Sequence, residues 1–340
     1  MTDLLPLVAA EPAPDDLDRP RAIDPGLPLS DRIFHGSVRS ISIFVLVVTG
    51  SIGLFLGYQL LPTLRHYGLR FFTETQWLPE HDNVGVAAVV VGTIEVALIA
   101  LAVAFPLAVL TALFISEYAP PRLRSALTSV IDLMAAVPSV IYGLWGFFIL
   151  QPKALFFSRW LASYFGWVPF FQVDTDPRAA FWAETKFTAS AFIAGLCVSM
   201  MVIPLACAVM LGVFRQAPIG EREGALALGA TRWGMIRSVV LPFGRGGIIG
   251  GTMLGLGRAL GETIAVLIII SPAYDIKIKI LSLGTQTVSA LIAGSFAEEN
   301  SAQLTALLAA GFVLFLMTIA INTLAAVFVG RSRSGSGTDI

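Results

Sequence analysis

Six stretches of this chain are apolar over roughly 20 residues or more, the length a helix needs to cross a bilayer at 1.5 Å per residue. They lie near residues 41–62, 86–115, 126–150, 188–214, 247–270 and 303–329. A backbone in hydrocarbon has no water to bond with, so each run must satisfy its own N–H and C=O groups as a helix. The expected class is an all-α integral membrane protein with six transmembrane helices. Composition excludes the alternative of a water-soluble domain: 13% of the 340 residues are charged, against about a quarter in soluble proteins, and the mean hydropathy is +0.80.

The polar remainder sets the boundaries. Residues 1–36 are rich in Pro and Asp without apolar periodicity and read as a disordered tail. Residues 37–85 read as the first span and an external loop, 86–330 as a five-helix transmembrane domain, and 331–340 as a second tail. No cleavable signal is visible, so the first span serves as an uncleaved anchor. No internal repeat suggests an inverted-repeat secondary transporter. Basic residues give the orientation. Thirteen Lys and Arg fall on the side that holds both termini and eight on the other, which puts the termini in the cytoplasm. Cys197 and Cys207 are ten residues apart in one apolar run and off a common helix face, which argues against a disulfide, and the three histidines share no ligand spacing. A net charge of −1 gives no reason to expect a nucleic-acid partner.

Between the fourth and fifth spans, the polar segment of about 215–246 is patterned. Arg222 and Glu223 open a run of helix formers, Gly229 interrupts it, and a second helix from about Thr231 is expected to stop before Pro242. This helix–Gly turn–helix carries five arginines counted from Arg215 to Arg245 and faces the cytoplasm. The chain has no Gly-x-x-x-x-Gly-Lys-Ser/Thr loop with which to hold ATP, so the energy for any pumping must come from a partner.

The fifth span is chemically unusual. Six glycines fall between 247 and 261, although glycine is costly in a helix interior. On a continuous helix they gather on one arc, where small residues let a second backbone come close. Arg258 and Glu262 project from the same arc. Intramembrane charges are costly, and at i and i+4 these two can meet. Two readings stay open: a structural ion pair that locks helix packing, or a cationic station at Arg258 for an anion, held by Glu262. A guanidinium fork suits a tetrahedral oxyanion.

The run Gly255-Leu-Gly-Arg258-Ala-Leu-Gly-Glu262-Thr263, with Val137-Pro-Ser-Val-Ile-Tyr-Gly-Leu-Trp-Gly146 in the third span, resembles the permeases of phosphate-uptake (Pst) ABC importers, the PstC type most of all. The resemblance covers about 40–330. Glu223-Gly224-Ala225, Gly229 and Leu241-Pro242 resemble the family's ATPase-coupling loop. They depart from it in Gly224 for the usual Ala and Val239 for a common Ile. The resemblance implies a type I importer core in the bacterial cytoplasmic membrane, with Arg258 and Glu262 tied to phosphate passage. It also implies a sister permease (PstA-type), a dimer of ATPase subunits (PstB-type) that carries the ATP and Mg²⁺, and an extracytoplasmic phosphate-binding protein (PstS-type). No cofactor is expected in this chain itself.

Ser139 and Tyr142 are candidate hydrogen-bond donors on the substrate path, with helix packing as the alternative, and Pro138 is a candidate hinge. Asp132 and Glu95 read as helix-end or interfacial groups. The aromatic stretch within 151–186 reads as an interfacial segment in contact with lipid, with docking of the binding protein as its functional reading. Asp275, Lys277 and Lys279 are a further candidate contact. The competing functions are a permease for sulfate or molybdate and, from another class, an ion-coupled secondary transporter with Glu262 as proton carrier. The latter leaves the 223–242 pattern unexplained.

Overall fold

A computed structural model describes residues 29–174, 183–297 and 301–330. The chain divides into two compact units, Met1–Ile52 and Gly53–Ile340. In the first, helix α1 (Leu29–Tyr67) has already begun at Leu29, with Asp31 favourably placed in its first turn, so residues 29–36 of the expected tail are helical. Its apolar side chains from Ile33 to Ile52 are exposed, as they would be toward lipid. Residues 1–28 and 331–340, the remainder of the two expected tails, lie outside the described residues, as do Phe181 and Trp182 of the aromatic stretch.

In the second unit, the segment after α1 holds a short helix α2 (Arg70–Thr73) and a two-stranded antiparallel ribbon, β1 (Trp77–Leu78) with β2 (Asn83–Val84). Phe71, Trp77 and Val84 bury this cap against Leu60 of α1 and Leu307 farther along the chain. Then α3 (Ala87–Leu113) runs on through a π-helical turn, Phe114–Tyr118.

The apolar run expected as one span over 126–150 is split. Helix α4 (Pro121–Ala136) ends at Val137, whose extended backbone is what a following proline demands, and α5 (Ser139–Trp145) starts after Pro138. Through a π-turn at Gly146–Leu150, α5 continues into α6 (Gln151–Phe165), so the continuous span-length run is Ser139–Phe165. The fourth span, α7 (Ala191–Arg215), starts at a Ser190 cap that accepts from the Ile193 amide.

The patterned segment folds as α8 (Ile219–Ala227), a turn with Gly229 at φ +86°, and α9 (Arg232–Met235) capped by Thr231. The second helix does not stop before Pro242. A π-turn at Ile236–Val240 leads without a break into α10 (Leu241–Phe243), so Pro242 lies in the last turn of a helix that runs from Arg232 to Phe243. A bend of 67° at Gly244 then starts α11 (Arg245–Leu260). Only glycine fits this bend, because a Cβ would stand 2.4 Å from the Phe214 ring. The fifth span is not continuous to 270. It stops at Leu260 and resumes as α12 (Ile264–Ile269). After an irregular stretch come α13 (Val288–Ser295) and α14 (Ser301–Gly330). Among the described residues, five helices are long and apolar enough to cross a membrane, or six when the bent pair 232–243 with 245–260 is counted as one span.

Small residues set the packing. Ala97, Ala100, Ala104, Ala108 and Ala112 form a buried row on α3, which packs along α7. In return, a Cβ at Gly195 of α7 would meet Ile99 at 2.5 Å. The glycines of α11 divide by role. Gly247, Gly251 and Gly255, one per turn, receive Val213, Met210 and Val202 of α7, whereas Gly250 has open space around it. This is the close backbone approach that small residues permit between lipid-embedded helices. Gly255→Leu should force the seam apart at a cost of about 1–3 kcal/mol and lower the thermal midpoint of the detergent-purified protein. Gly250→Ala should leave that midpoint within error.

Candidate substrate path and coupling loop

The stop at Leu260 decides the geometry of the two intramembrane charges. With the helix ended, Arg258 and Glu262 are not one turn apart on a common surface, and no ion pair joins them: the structure corrects that expectation. Glu262 is buried at 7% exposure, and its Oε1 accepts from the Ala265 amide at 3.3 Å, a cap for α12. Its carbonyl accepts from the Ser289 hydroxyl at 2.7 Å, while Thr263 donates to the Gly261 carbonyl at 3.0 Å. Arg258 is exposed on the last turn of α11, with Leu254 before it and Gly261 after it.

The third-span motif meets this break. A Cβ at Gly143 would stand 2.7 Å from the Ala265 Cα, and one at Gly146 2.7 Å from the Cys197 Sγ. Glycine at both positions therefore lets α5 lie directly on α12 and α7. The Tyr142 hydroxyl donates to the Met134 carbonyl at 3.0 Å, which ties the end of α4 to α5 across the Pro138 break. The Cys197 thiol donates to the Tyr142 carbonyl at 3.2 Å; both cysteines are buried and free. Ser139 opens α5, half-buried and without a hydrogen bond among the described residues. Two motifs more than a hundred residues apart in sequence thus converge, with Arg258 at the open edge and Glu262 in the wall. Glu95 stands inside α3 rather than at its end, while Asp132 is exposed on α4.

The loop side is built on a pair that sequence reading did not single out. Glu117, in the π-turn after α3, is 5% exposed, and its Oε1 lies 3.3 Å from Nη1 of Arg222, itself 19% exposed. Ser116 donates to the same carboxylate at 2.6 Å. Arg222 also donates to the Phe214 carbonyl at the end of α7. Arg232 donates to the Glu117 carbonyl at 3.4 Å and stands over the Tyr118 ring. The only trace of Glu117 in the sequence is a lone acid at the end of an apolar run. Of the loop residues named from sequence, Ala225 and Leu241 pack inward, and Pro242 is half-buried. Glu223, Gly224 and Gly229 are exposed, beside Leu228 at 92% exposure and Ile219 at 72%.

At the other end of the spans, Lys279 pairs with Asp174. The hydrogen bond from Lys279 and its charge hold the Asp174 carboxyl below the usual range, with smaller help from Lys186 and Lys277. Any stability from this pair is therefore present above the ordinary carboxylate pKa and lost only as the pH falls below it. Asp82 is likewise lowered, first by its hydrogen bond with His66 and then by that from Tyr67. Trp160 stacks on Phe157 and meets Tyr164 and Phe165, an aromatic cluster on α6 with Trp167 exposed beyond it.

The apolar spans, the charged break inside the fifth and the patterned helical loop define a multi-pass membrane protein. Residues 104–334 match the family of binding-protein-dependent transport system inner membrane components. The chain is 37% identical to the phosphate transport system permease protein PstC 2 of Mycobacterium bovis, over 90% of this chain and 93% of that one. It is 34% identical to PstC of Xylella fastidiosa over 98% of each chain. A crystal structure of a bacterial ABC transporter involved in alginate import has the same fold, with a TM-score of 0.53 at 18% identity, covering 88% of this chain and 99% of that chain. The chain belongs to the binding-protein-dependent importer permeases and, within them, to the PstC family. That membership does not favour the secondary-transporter reading.

Glu117→Gln should leave Arg222 without its counter-charge, at a cost of about 3 kcal/mol, the lower end for breaking a buried pair because Arg222 keeps some solvent. Hydrogen exchange should then rise across 216–231 while the spans stay protected. Adding Arg222→Met should recover part of the loss.

Proposed function

We propose that this chain is one permease half of an ATP-driven importer that moves inorganic phosphate across the bacterial cytoplasmic membrane. The observation that carries the reading is the exposed guanidinium of Arg258, without an ion pair among the described residues, at the open edge of the break where the two motifs converge. The phosphate permeases to which the chain is 32–37% identical support the choice of anion. Thirteen basic residues against eight put both termini and the 216–231 loop in the cytoplasm.

Arg258 is the cationic station for the passing phosphate. Glu262 acts through position: its carboxylate caps α12 and holds the break open. Ser139 stands on the adjoining wall and supplies a hydroxyl to the path, and Tyr142 joins it only when its hydroxyl leaves the Met134 carbonyl. The exposed edge at Arg258 requires a second, PstA-type permease to close it, since a cation facing lipid is costly. A dimer of PstB-type ATPase subunits, which hold the ATP and Mg²⁺, docks on Glu223, Gly224, Gly229 and the exposed Leu228. A PstS-type binding protein delivers phosphate from outside. ATP-driven closure of the ATPases moves the loop. Glu117 and Arg222 pass that motion to α3 and α7, and the Gly244 bend passes it to α11, the helix that carries Arg258.

The test is phosphate uptake by the reconstituted complex. Arg258→Ala leaves the Glu262 cap intact, so the variant should assemble and hydrolyse ATP, with uptake reduced roughly 10- to 100-fold, the worth of charge-assisted hydrogen bonds. Glu262→Gln keeps an acceptor for the Ala265 amide and should preserve assembly. Normal uptake by Arg258→Ala would sink the station. Gly229→Leu places a side chain at a positive φ, so ATPase stimulation should fail while the spans stay folded.

A further inference from the structure

Far from the break, where α4 begins and α7 ends, six residues line an open cavity of about 350 Å³: Pro121, Arg124, Ser125, Thr128, Ser129 and Arg215. Its lining carries two positive charges and no carboxylate. Each guanidinium makes one hydrogen bond among the described residues, and both belong to residues that line the cavity. Arg215 Nη2 donates to the Thr128 hydroxyl at 2.8 Å, and that hydroxyl donates to the Arg124 carbonyl at 2.8 Å. Arg124 Nη2 donates to the Ala119 carbonyl at 3.4 Å. Each guanidinium has five N–H donors, so most of them are left over. The Nε of Arg124 is buried with no partner among the described residues. The hydroxyl-bearing Ser125 and Ser129 are exposed beside them.

Both arginines line one cavity without a carboxylate, so the local charge favours an anion there. Guanidinium forks with hydroxyls beside them match the oxygens of a tetrahedral phosphate group. The neighbouring surface of α4 is apolar and exposed at Leu123 and Val130, as it would be beside acyl chains. Basic pockets between helices at the membrane boundary take lipid headgroups in this way.

We propose that Arg124 and Arg215, with the hydroxyls of Ser125, Thr128 and Ser129, form a second anion site that holds one phosphate group at this end of the spans, the cytoplasmic end in the topology proposed above. It shares no residue with the Arg258 station. The group comes from one of two sources, the headgroup of an anionic phospholipid or free inorganic phosphate.

The test uses the assembled transporter in an Arg258→Ala background, so that the translocation station does not contribute. In nanodiscs containing phosphatidylglycerol, native mass measurement reads the lipid retained per complex. In discs of phosphatidylcholine alone, equilibrium binding of radiolabelled phosphate reads the other source. Arg124→Gln/Arg215→Gln should lower one of these readouts by roughly tenfold or more. Arg122→Gln, which alters an exposed charge outside the cavity, should change neither. A fall in retained phosphatidylglycerol assigns a headgroup, and a fall in bound phosphate assigns the free ion. If neither readout falls, or Arg122→Gln lowers them equally, the site is overturned. Should the double variant fail to assemble, Ser125→Ala/Ser129→Ala should give a smaller loss in the same readout, and no loss there overturns the proposal equally.

Discussion

A helix that stops inside a membrane exposes amide and carbonyl groups that lipid cannot satisfy, and each costs several kcal/mol if left alone. The arrangement around Arg258 follows from how this chain meets that cost between Leu260 and Ile264. The Glu262 carboxylate takes the Ala265 amide, the Glu262 carbonyl takes the Ser289 hydroxyl, and Thr263 bonds back to Gly261. The carboxylate is turned toward the start of α12, and among the described residues no ion pair joins it to Arg258. Among the described residues Arg258 thus has no ion-pair partner, which is the condition for it to meet a mobile anion.

The same economy appears where the loop joins the spans. Glu117 is buried with Arg222, and a buried pair contributes little net stability while being costly to break. Its effect is to fix register: Arg222 binds the carboxylate after α3 and the carbonyl at the end of α7 at once. The loop cannot move far without carrying the inner ends of both helices. Gly244 gives the third link, because its bend brings α10 and α11 past Phe214 with no side chain between. The loop is thus tied to three spans through short, stiff contacts rather than through a flexible linker.

How much of this was legible in the sequence depended on the range of the interaction. Gly229 and Thr231 announce a turn and a cap, because a positive φ and a side-chain acceptor are local requirements. The seam at Gly247, Gly251 and Gly255 was readable as a small-residue face, although the six glycines proved not to share one task. Pro138 marked a hinge, but the separation of α4 from α5 as distinct helices did not show in hydropathy. The stop at Leu260 was hidden, since Ile264 to Ile269 continues the apolar run and the group that makes the break tolerable, Ser289, is 27 residues away from Glu262. Glu117 was missed for the same reason: its partner is 105 residues along the chain. Period and composition report local preference, and both failures are long-range pairings that override it.

Exposure of Arg258 also bears on what this subunit can be alone. The last turn of α11 presents Leu254, Arg258 and Gly261 to its surroundings, and Gly250 faces open space on the same helix. Were this surface lined by lipid, the guanidinium would sit in hydrocarbon at a cost of about 2.5–3.5 kcal/mol on insertion scales. Among the described residues no carboxylate pairs with the guanidinium: the Glu262 carboxylate bonds the Ala265 amide and the Tyr142 hydroxyl the Met134 carbonyl. A polar path shared with a second chain removes the cost without altering this fold. In the assembly proposed above, that second chain closes the edge where Arg258 stands.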